Sequence, residues 1–309
     1  MATEPGPIRA AIDLGTNTAL MVTGRRNTDG TIEILDDAHA VARLGKGVDA
    51  SRRIGPATME RVCGILAGYR DRALGLGAAE VRVFGTSALR EATNKREFIS
   101  RVRQETGLEL VEVSGEEEAD LTFRGAAFGL RLPERYAVID IGGGSTELAL
   151  GGGQRVSQAV SVDVGALRIT ERCFPALPPT AAQREAAVVI IERALEGFFP
   201  YPGGTVLVGV AGTVTTLGAL DRGIGNFDAQ ELNGHFLAAE RAAQWSERLL
   251  GMGVDQICRL PQIHEQRADI IGAGALILGL ALTRLGVAGL RVSTRGIRYG
   301  LLLRELETA

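Results

Sequence analysis

The feature that most restricts the fold is a pattern that occurs twice in the chain. An apolar segment ends in an aspartate, and a loop of small residues follows at once. The first copy reads D-L-G-T-N-T from Asp13 to Thr18, and the second reads D-I-G-G-G-S-T-E from Asp140 to Glu147. Apolar residues resume directly after each loop, which predicts two β-hairpins. Similar strands and helices follow in both halves, so we predict a duplicated α/β domain rather than a short-period solenoid. Among the helices, the pattern predicts one from Ser87 to Thr106 and another from about Arg267 to Leu285.

This duplication divides the 309 residues into two domains, in line with roughly 100–200 residues per domain. We place the N-terminal domain at residues 1–130 and the C-terminal domain at residues 131–296, because L-P-E at 132–134 interrupts a helical pattern. We expect the last helix, about 297–309, to pack back on the N-terminal domain.

Charge and composition exclude several classes of protein. With a formal net charge of -3 and a pI of about 5.8, the chain has no general attraction for nucleic acid or membranes, so an anionic substrate needs a local basic lining. The three cysteines are widely spaced and form no C-x-x-C pair, which is typical of free thiols in a reducing compartment. The N-terminus lacks a signal-peptide pattern. The most apolar stretch, 270–282, is shorter than the roughly 20 residues of a membrane helix. We therefore expect a cytoplasmic protein that binds neither nucleic acid nor membranes.

Both loops have the chemistry of a phosphate and metal site. Backbone N–H groups in such a loop form a concavity for anions, and glycine lets the backbone approach a phosphate closely. The adjoining carboxylates suit Mg²⁺, which prefers one or two carboxylates together with substrate phosphates and water. A plain glycine-rich turn explains either loop alone, but two such loops at equivalent positions favour a phosphate site.

Three further segments follow strand ends, and each has two interpretations. In T-S-A-L-R-E-A-T-N (86–94), Arg90 is either a phosphate contact or a solvated surface arginine. In S-G-E-E-E-A (114–119), helix capping explains the acids, or one of the three is a base that activates water; the residues alone do not identify which. In G-V-A-G-T-V-T-T (209–216), the helix N-terminus either binds a second phosphate or packs closely on its strand.

Other enzyme classes lack their signatures in this sequence. It contains neither the P-loop pattern nor an early G-x-G-x-x-G that opens a helix, and no G-x-S-x-G. His39, His235 and His264 do not have the spacing of a metal site.

The four segments D-L-G-T-N-T, T-S-A-L-R-E-A-T-N, S-G-E-E-E-A and D-I-G-G-G-S-T-E, in this order, resemble the exopolyphosphatase / guanosine pentaphosphate phosphatase (Ppx/GppA) family. The resemblance continues through V-D-V-G-A-L-R-I-T-E-R, G-V-A-G-T-V-T-T-L and R-A-D-I-I-G-A-G-A, and it covers essentially the whole chain. It implies two actin-like (ribonuclease H-like) α/β domains with the active site in the cleft between them. The chain looks like a short, two-domain member of the family.

The resemblance also implies roles for individual residues. Glu118 matches the catalytic glutamate, and Asp13, Asp140 and Glu147 match metal-binding acids, with Mg²⁺ as the expected ion and Mn²⁺ as the alternative. The phosphate contacts that it implies are Asn17, Arg90, Gly143, Gly144, Ser145 and Arg267. The loop chemistry described above adds Gly15, Thr16, Thr18, Gly142, Gly212 and Thr213. We also consider Arg168, Arg295 and Arg298 as parts of a basic groove. One departure concerns Ala19: some family members have an arginine after this loop, so a basic contact is missing or replaced here.

The function that the resemblance implies is an exopolyphosphatase, a hydrolase that removes terminal phosphate from inorganic polyphosphate with a divalent metal ion. The alternative is hydrolysis of guanosine pentaphosphate (pppGpp), since nothing in the sequence selects for or against guanine. A kinase fits less well, because it needs an acceptor site and a base that serves a hydroxyl, whereas S-G-E-E-E-A suits the activation of water. A non-catalytic actin-like nucleotide-binding protein also fits less well, because the acids at 13, 118, 140 and 147 are all present. Family members are often dimers, so a homodimer is one expectation.

Overall fold

The structure is a computed structural model that describes residues 4–153, 155–225, 228–261, 263 and 265–307. The chain forms two compact units. The first contains Met1–Gly125 together with Ile297–Ala309, and the second contains Ala126–Gly296. Each unit is built on one mixed β-sheet.

The first unit has a five-stranded sheet in the order β3-β2-β1-β4-β5. Its strands are β1 (Arg9–Leu14), β2 (Thr18–Arg26), β3 (Ile32–Val41), β4 (Glu80–Gly85) and β5 (Leu110–Glu112). The central strand β1 pairs antiparallel with β2 and parallel with β4. All of β1 after Arg9 is buried, as expected for a central strand covered on both faces.

The helices of the first unit include the last helix of the chain. They are α1 (Val48–Ser51), α2 (Pro56–Gly75), α3 (Ser87–Glu91), α4 (Lys95–Thr106), α5 (Gly115–Ala127) and α13 (Ile297–Glu307). Helix α13 packs on β1 and β2. It also meets α5 closely, because a Cβ built at Gly300 would lie only 1.9 Å from the carbonyl oxygen of Leu121.

The second unit has a six-stranded sheet in the order β10-β11-β9-β6-β7-β8. Its strands are β6 (Arg135–Ile141), β7 (Thr146–Gly152), β8 (Arg155–Val162), β9 (Val206–Val210), β10 (Phe236–Ala238) and β11 (Gly289–Val292). Its helices are α6 (Ala166–Cys173), α7 (Ala181–Leu195), α8 (Ala211–Arg222), α9 (Ala229–Leu232), α10 (Ala239–Leu250), α11 (Val254–Ile257) and α12 (Ile271–Leu285). Strand β6 pairs antiparallel with β7 and parallel with β9.

The two sheets share one topology. If the strands of each unit are counted from β1 and from β6, leaving out the edge strand β10, both sheets have the order 3-2-1-4-5. In both, the second strand is antiparallel to the first and the fourth is parallel to it. This is the strand order of an actin-like, ribonuclease H-like domain, and the prediction of two α/β domains of this class is confirmed.

Two predicted helices differ in the structure. The segment from Ser87 to Thr106 forms two helices instead of one, because the side chain of Asn94 bonds to another segment. Its Oδ1 accepts from the N–H of Ile54 at 2.9 Å and its Nδ2 donates to the carbonyl of Ile54 at 3.0 Å. Helix α12 begins at Ile271 and not at Arg267, which lies in a separate short turn of 3-10 helix. Within the described residues, none of the helices combines the length and the apolar character needed to cross a membrane.

Candidate active site

The loop between β1 and β2 is a compact turn closed by the N–H of Gly15, which donates to the carbonyl of Thr18 at 2.8 Å. The segment after β3 holds its carbonyl groups. The carbonyl of Thr16 accepts from the N–H of Gly45 at 2.8 Å, and that of Asn17 accepts from residues 42 and 43 at 3.0 and 2.9 Å. In a trans peptide the C=O and the following N–H point in opposite directions. The N–H groups of Asn17 and Thr18 therefore point away from the segment that holds the loop.

The loop between β6 and β7 repeats this turn, since the N–H of Gly142 donates to the carbonyl of Ser145 at 3.0 Å. It lies directly on the start of α6. A Cβ built at Gly165 would be 2.5 Å from the carbonyl carbon of Gly143 and 2.6 Å from that of Gly144. Both neighbours are backbone atoms, so only glycine at 165 permits this approach.

Donors at the beginning of α6 hold the carbonyl groups of this second loop. The backbone N–H of Ala166 donates to Gly142 O at 2.9 Å, those of Leu167 and Arg168 donate to Gly143 O at 2.9 and 3.1 Å, and Nε of Arg168 donates to Gly144 O at 2.7 Å. By the geometry of the trans peptide, the N–H groups of Gly143, Gly144 and Ser145 point away from α6. The helix N-terminus thus binds the loop, and the loop presents its own N–H groups as anion donors.

Two carboxylates flank the second loop. Asp140 in β6 and Glu147 in β7 are register partners in the antiparallel pair, so their side chains leave the same face of the sheet. Glu147 is buried and accepts a hydrogen bond of 2.7 Å from Oγ of Ser161, its own partner on β8. Sequence reasoning did not find Ser161, which only the strand register brings to this position. In the first unit, the residue opposite Asp13 is Leu20, so that loop is flanked by one acid.

Asp13 is the buried acid of the first loop. Its Oδ1 has no hydrogen-bond partner among the described residues, and the same is true of Oδ1 of Asn17. Burial, reinforced by the nearby Glu118 and opposed by Arg298, raises the pKa of Asp13 to about 8. An ionised carboxylate without a partner is costly in such a place. A cation beside Asp13 would offset this cost, so the first loop fits a metal ion.

Glu118 differs from the two acids that precede it in α5. Glu116 and Glu117 are exposed, and Glu117 pairs with Arg304 at 2.7 Å. The side chain of Glu118 is only 12% exposed, and its Oε2 accepts from Nη1 of Arg90 at 2.6 Å. Burial raises the pKa of Glu118, and Arg90 opposes the shift. Of the three acids, Glu118 alone is held in a partly buried place by a cation.

Arg267 lies against the start of α8. Its Nη1 donates to the carbonyl of Gly212 at 3.1 Å and to Oγ1 of Thr216 at 3.3 Å, and burial lowers its pKa. A Cβ built at Gly212 would be 2.3 Å from this Nη1. Ala211, just before, has a φ of 67°, a strained backbone state for a residue other than glycine. Thr213 is buried in the same helical turn. The structure thus brings together Gly212, Thr213 and Arg267.

The three remaining arginine candidates make internal contacts. Arg168 is buried on the second loop as described. Arg295 donates to the carbonyl of Phe128 at 3.0 Å, and Arg298 forms two bonds of 2.9 Å with the carboxylate of Asp37. The participation of Arg295 and Arg298 in a basic groove stays a prediction.

The prediction that the histidines form no metal site concerns three residues, one of which lies outside the described residues. His264 is not among the described residues, and His235 lies 3.1 Å from the carboxylate of Asp221. Among the described residues, no group of three or more His, Cys, Asp or Glu side chains is arranged to hold a metal ion. A metal ion at the acids of either loop would therefore need further ligands from substrate and water, as Mg²⁺ prefers.

Comparisons with known proteins show relatives along most of the chain. The Ppx/GppA phosphatase family matches residues 25–309. Exopolyphosphatase 2 of Mycobacterium tuberculosis is 33% identical over 310 aligned positions, which cover 95% of this chain and 97% of that protein.

Solved structures agree with this result. The crystal structure of an exopolyphosphatase-like protein matches with a TM-score of 0.92 and 30% identity, over 97% of this chain and 99% of that one. A Ppx/GppA family member from Aquifex aeolicus matches with a TM-score of 0.82 and 28% identity, over 98% of both chains.

Proposed function

The chain belongs to the Ppx/GppA phosphatase family, and from this membership we propose that it is an exopolyphosphatase. It hydrolyses the phosphoanhydride bond of the terminal phosphate in inorganic polyphosphate, with the help of a divalent metal ion. The similarity to a protein named exopolyphosphatase 2 over nearly its full length supports this substrate.

The observation that carries the proposal is the setting of Glu118. A general base must be positioned by its surroundings and have a pKa raised toward the working pH. Glu118 has both properties: it is 12% exposed beside Arg90, and burial raises its pKa. Glu116 and Glu117 are exposed acids that the helix dipole and the Ser114 cap explain.

In the proposed reaction, Glu118 accepts a proton from water as the water oxygen bonds to the terminal phosphorus. The bond from this phosphorus to the bridging oxygen breaks, and the bridging oxygen keeps the electron pair. The products are orthophosphate and a polymer one phosphate shorter. A positioned base contributes roughly 10²–10⁴-fold to such a rate.

The two loops supply donors for the negative charge of the phosphoryl group. We assign this role to the N–H groups of Asn17, Thr18, Gly143, Gly144 and Ser145, whose orientation is fixed by the anchored carbonyls. Gly15 and Gly142 close the two turns and Thr16 is a carbonyl anchor, so their contribution is to loop shape. Donors fixed before the reaction stabilise charge without reorganisation.

Arginines and the start of α8 complete the proposed phosphate contacts. Arg90 binds both Glu118 and, when substrate is present, a phosphate oxygen. Arg267, held beside Gly212 and near Thr213, is the cation that we assign to the anionic chain. A planar guanidinium suits such oxygens because it donates in a fixed fork.

We propose Mg²⁺ as the metal ion, with Mn²⁺ as a substitute. Asp13, Asp140 and Glu147 would hold it, since all three offer hard oxygen ligands and Asp13 has a buried oxygen without a partner among the described residues. When bound, the ion neutralises charge on the phosphate oxygens.

The test measures phosphate release with Mg²⁺ from polyphosphates of defined length and, separately, from pppGpp. We expect a higher kcat/KM for polyphosphate. A matched pair of variants checks the base: Glu118→Gln should lower kcat at least about 10²-fold with little change in polyphosphate binding, whereas Glu116→Gln should keep wild-type rates. A Glu118→Gln enzyme with more than about a tenth of the wild-type kcat would contradict its role. A higher kcat/KM for pppGpp would identify pppGpp instead of polyphosphate as the substrate.

A further inference from the structure

One carbonyl of the second loop is held by a side chain, and the others are held by backbone. Gly142 O and Gly143 O accept from backbone N–H groups of α6, whereas Gly144 O accepts from Nε of Arg168 at 2.7 Å. We propose that Arg168 is a positioning residue for the hydrolysis: it fixes the Gly144–Ser145 peptide so that the N–H of Ser145 faces the phosphate. The inference rests on the proposed function in so far as the phosphate belongs to polyphosphate.

The burial of Arg168 separates this role from a contact with the polymer. The residue is only 5% exposed, and arginine is rarely buried to this degree unless its charge is paired or hydrogen-bonded. An arginine that binds a long polyanion lies in a groove open to solvent. Arg168 instead donates its Nε–H to a backbone carbonyl inside the second unit. Its effect on substrate therefore passes through the loop.

The geometry of the peptide makes the effect specific. Because C=O and N–H of one trans peptide are antiparallel, holding Gly144 O fixes the direction of the N–H of Ser145 and of no other residue. The close approach at Gly165 keeps this bond short, since the loop backbone lies 2.5 Å from the position of a Cβ there. Without the arginine, the Gly144–Ser145 peptide is the part of the loop that gains freedom to rotate.

The first loop shows that an arginine is not a general requirement of this turn. There the carbonyls of Thr16 and Asn17 accept from the backbone N–H groups of residues 42, 43 and 45. The second unit uses a side chain for an anchor of the same kind. A substitution of Arg168 thus disturbs one of the two loops and leaves the backbone anchors of both in place.

The variants follow from this argument. Arg168→Met removes the donor and keeps an unbranched apolar stem, and Arg168→Lys keeps a charge without the planar guanidinium. Arg172→Met is the control, because it removes the same charge from an exposed position on the same helix. Gly165→Ala displaces the loop while Arg168 is retained, and Gly279→Ala is its control, because nothing lies within 4 Å of a Cβ at that helical position.

The first measurement is kinetic and compares tripolyphosphate with a long polyphosphate at several salt concentrations. We expect Arg168→Met and Gly165→Ala to lower kcat at least about 10-fold on both substrates, since displacement by about 1 Å costs up to 10²-fold. The dependence of KM on salt should stay as in the wild type. Arg168→Lys should fall between the wild type and Arg168→Met, and both controls should be unaffected. A loss confined to the long polymer, with a weaker salt dependence, would show a direct contact with the chain and overturn the proposal.

The second measurement needs no turnover. In an NMR titration with inorganic phosphate, the amide resonance of Ser145 should shift in the wild type and lose this shift in Arg168→Met, while that of Gly143 keeps it. Equal responses in both proteins would contradict the positioning role. If Arg168→Met fails to fold, Arg168→Lys decides by the same readout. Should the wild type release no phosphate from polyphosphate, the proposed function fails, but the titration still tests what Arg168 does to the loop.

Discussion

Arg90 and Glu118 form an ion pair in which Nη1 of the arginine lies 2.6 Å from Oε2 of the glutamate. The same Nη1 donates to the carbonyl of Val113 at 3.1 Å, at the end of the strand segment that leads into α5. Arg90 therefore holds Glu118 in position and favours its ionised form. It opposes the effect of burial on the pKa of Glu118.

This pair predicts a shift in the pH profile. Without the guanidinium, burial acts on Glu118 unopposed, so its pKa rises and the base becomes ionised only at higher pH. We expect Arg90→Met to lower kcat and to move the acid limb of the kcat profile to higher pH. Arg52→Met is the control, because Arg52 is exposed and pairs with Glu91. If the acid limb of Arg90→Met lies at the same pH as in the wild type, Arg90 does not control the ionisation of Glu118.

Asp13 predicts how stability depends on pH without metal. Its pKa is raised from 3.8 to about 8, so between these values the native state binds a proton that the unfolded chain has released. The free energy of unfolding should therefore fall as the pH rises from about 4 to 8, by up to about 1.4 kcal/mol per pH unit for one proton. Asp13→Asn should flatten this fall in EDTA. Part of the slope should remain, because the pKa of Glu118 is raised as well.

The measurement is denaturant unfolding at several pH values. Asp29→Asn serves as a control, because the pKa shift of Asp29 has the opposite direction to that of Asp13. Hydrogen bonds from Thr31 lower the pKa of Asp29, so its contribution is present above its unfolded pKa and is lost only as the pH falls. Its replacement should leave the slope between pH 5 and 8 unchanged. An Asp13→Asn protein with the wild-type slope would refute the burial argument.

Removal of the metal ion should abolish activity. We expect no phosphate release in EDTA and full recovery with Mg²⁺ or Mn²⁺, because carboxylate oxygens are the ligands that both loops offer. Asp140→Asn should raise the Mg²⁺ concentration for the half-maximal rate, since it removes the charge of a proposed ligand beside Glu147. Asp255→Asn, an exposed position in α11, should not. Undiminished hydrolysis in EDTA would rule out the metal role of these acids.

The contact between α13 and α5 predicts an effect far along the sequence from the proposed base. A Cβ at position 300 would lie 1.9 Å from the carbonyl oxygen of Leu121, a backbone atom that cannot swing aside. Gly300→Ala should therefore push on α5 three residues after Glu118 and lower kcat more than it raises KM. Thermal unfolding should show a loss of stability of about 1–3 kcal/mol, as for overpacking elsewhere. Gly279→Ala, with open space around its Cβ, should change neither kcat nor stability. If Gly300→Ala has the same kcat as Gly279→Ala, α5 accommodates the added methyl group without moving Glu118.

Much of the fold could be predicted from the sequence because its signals are local. An apolar run that ends in Asp and a glycine-rich loop predicts a hairpin, and two such hairpins predict two similar domains. The helix from Ser87 to Thr106 was predicted wrongly in one respect, because the break at Asn94 depends on its bonds to Ile54, 40 residues away.

Some features of the candidate site are likewise local in the sequence, and others depend on distant contacts. The acids and small residues of the two loops could be recognised from their order along the chain, and the family resemblance singled out Glu118. Three contacts became visible only in the folded chain: Glu118 lies against Arg90, Ser161 donates to Glu147, and Arg168 is buried against Gly144 O. The physical reason is that a hairpin follows from neighbouring residues, whereas burial, ion pairing and the direction of a peptide N–H depend on groups that only the packing of distant segments brings within 3 Å.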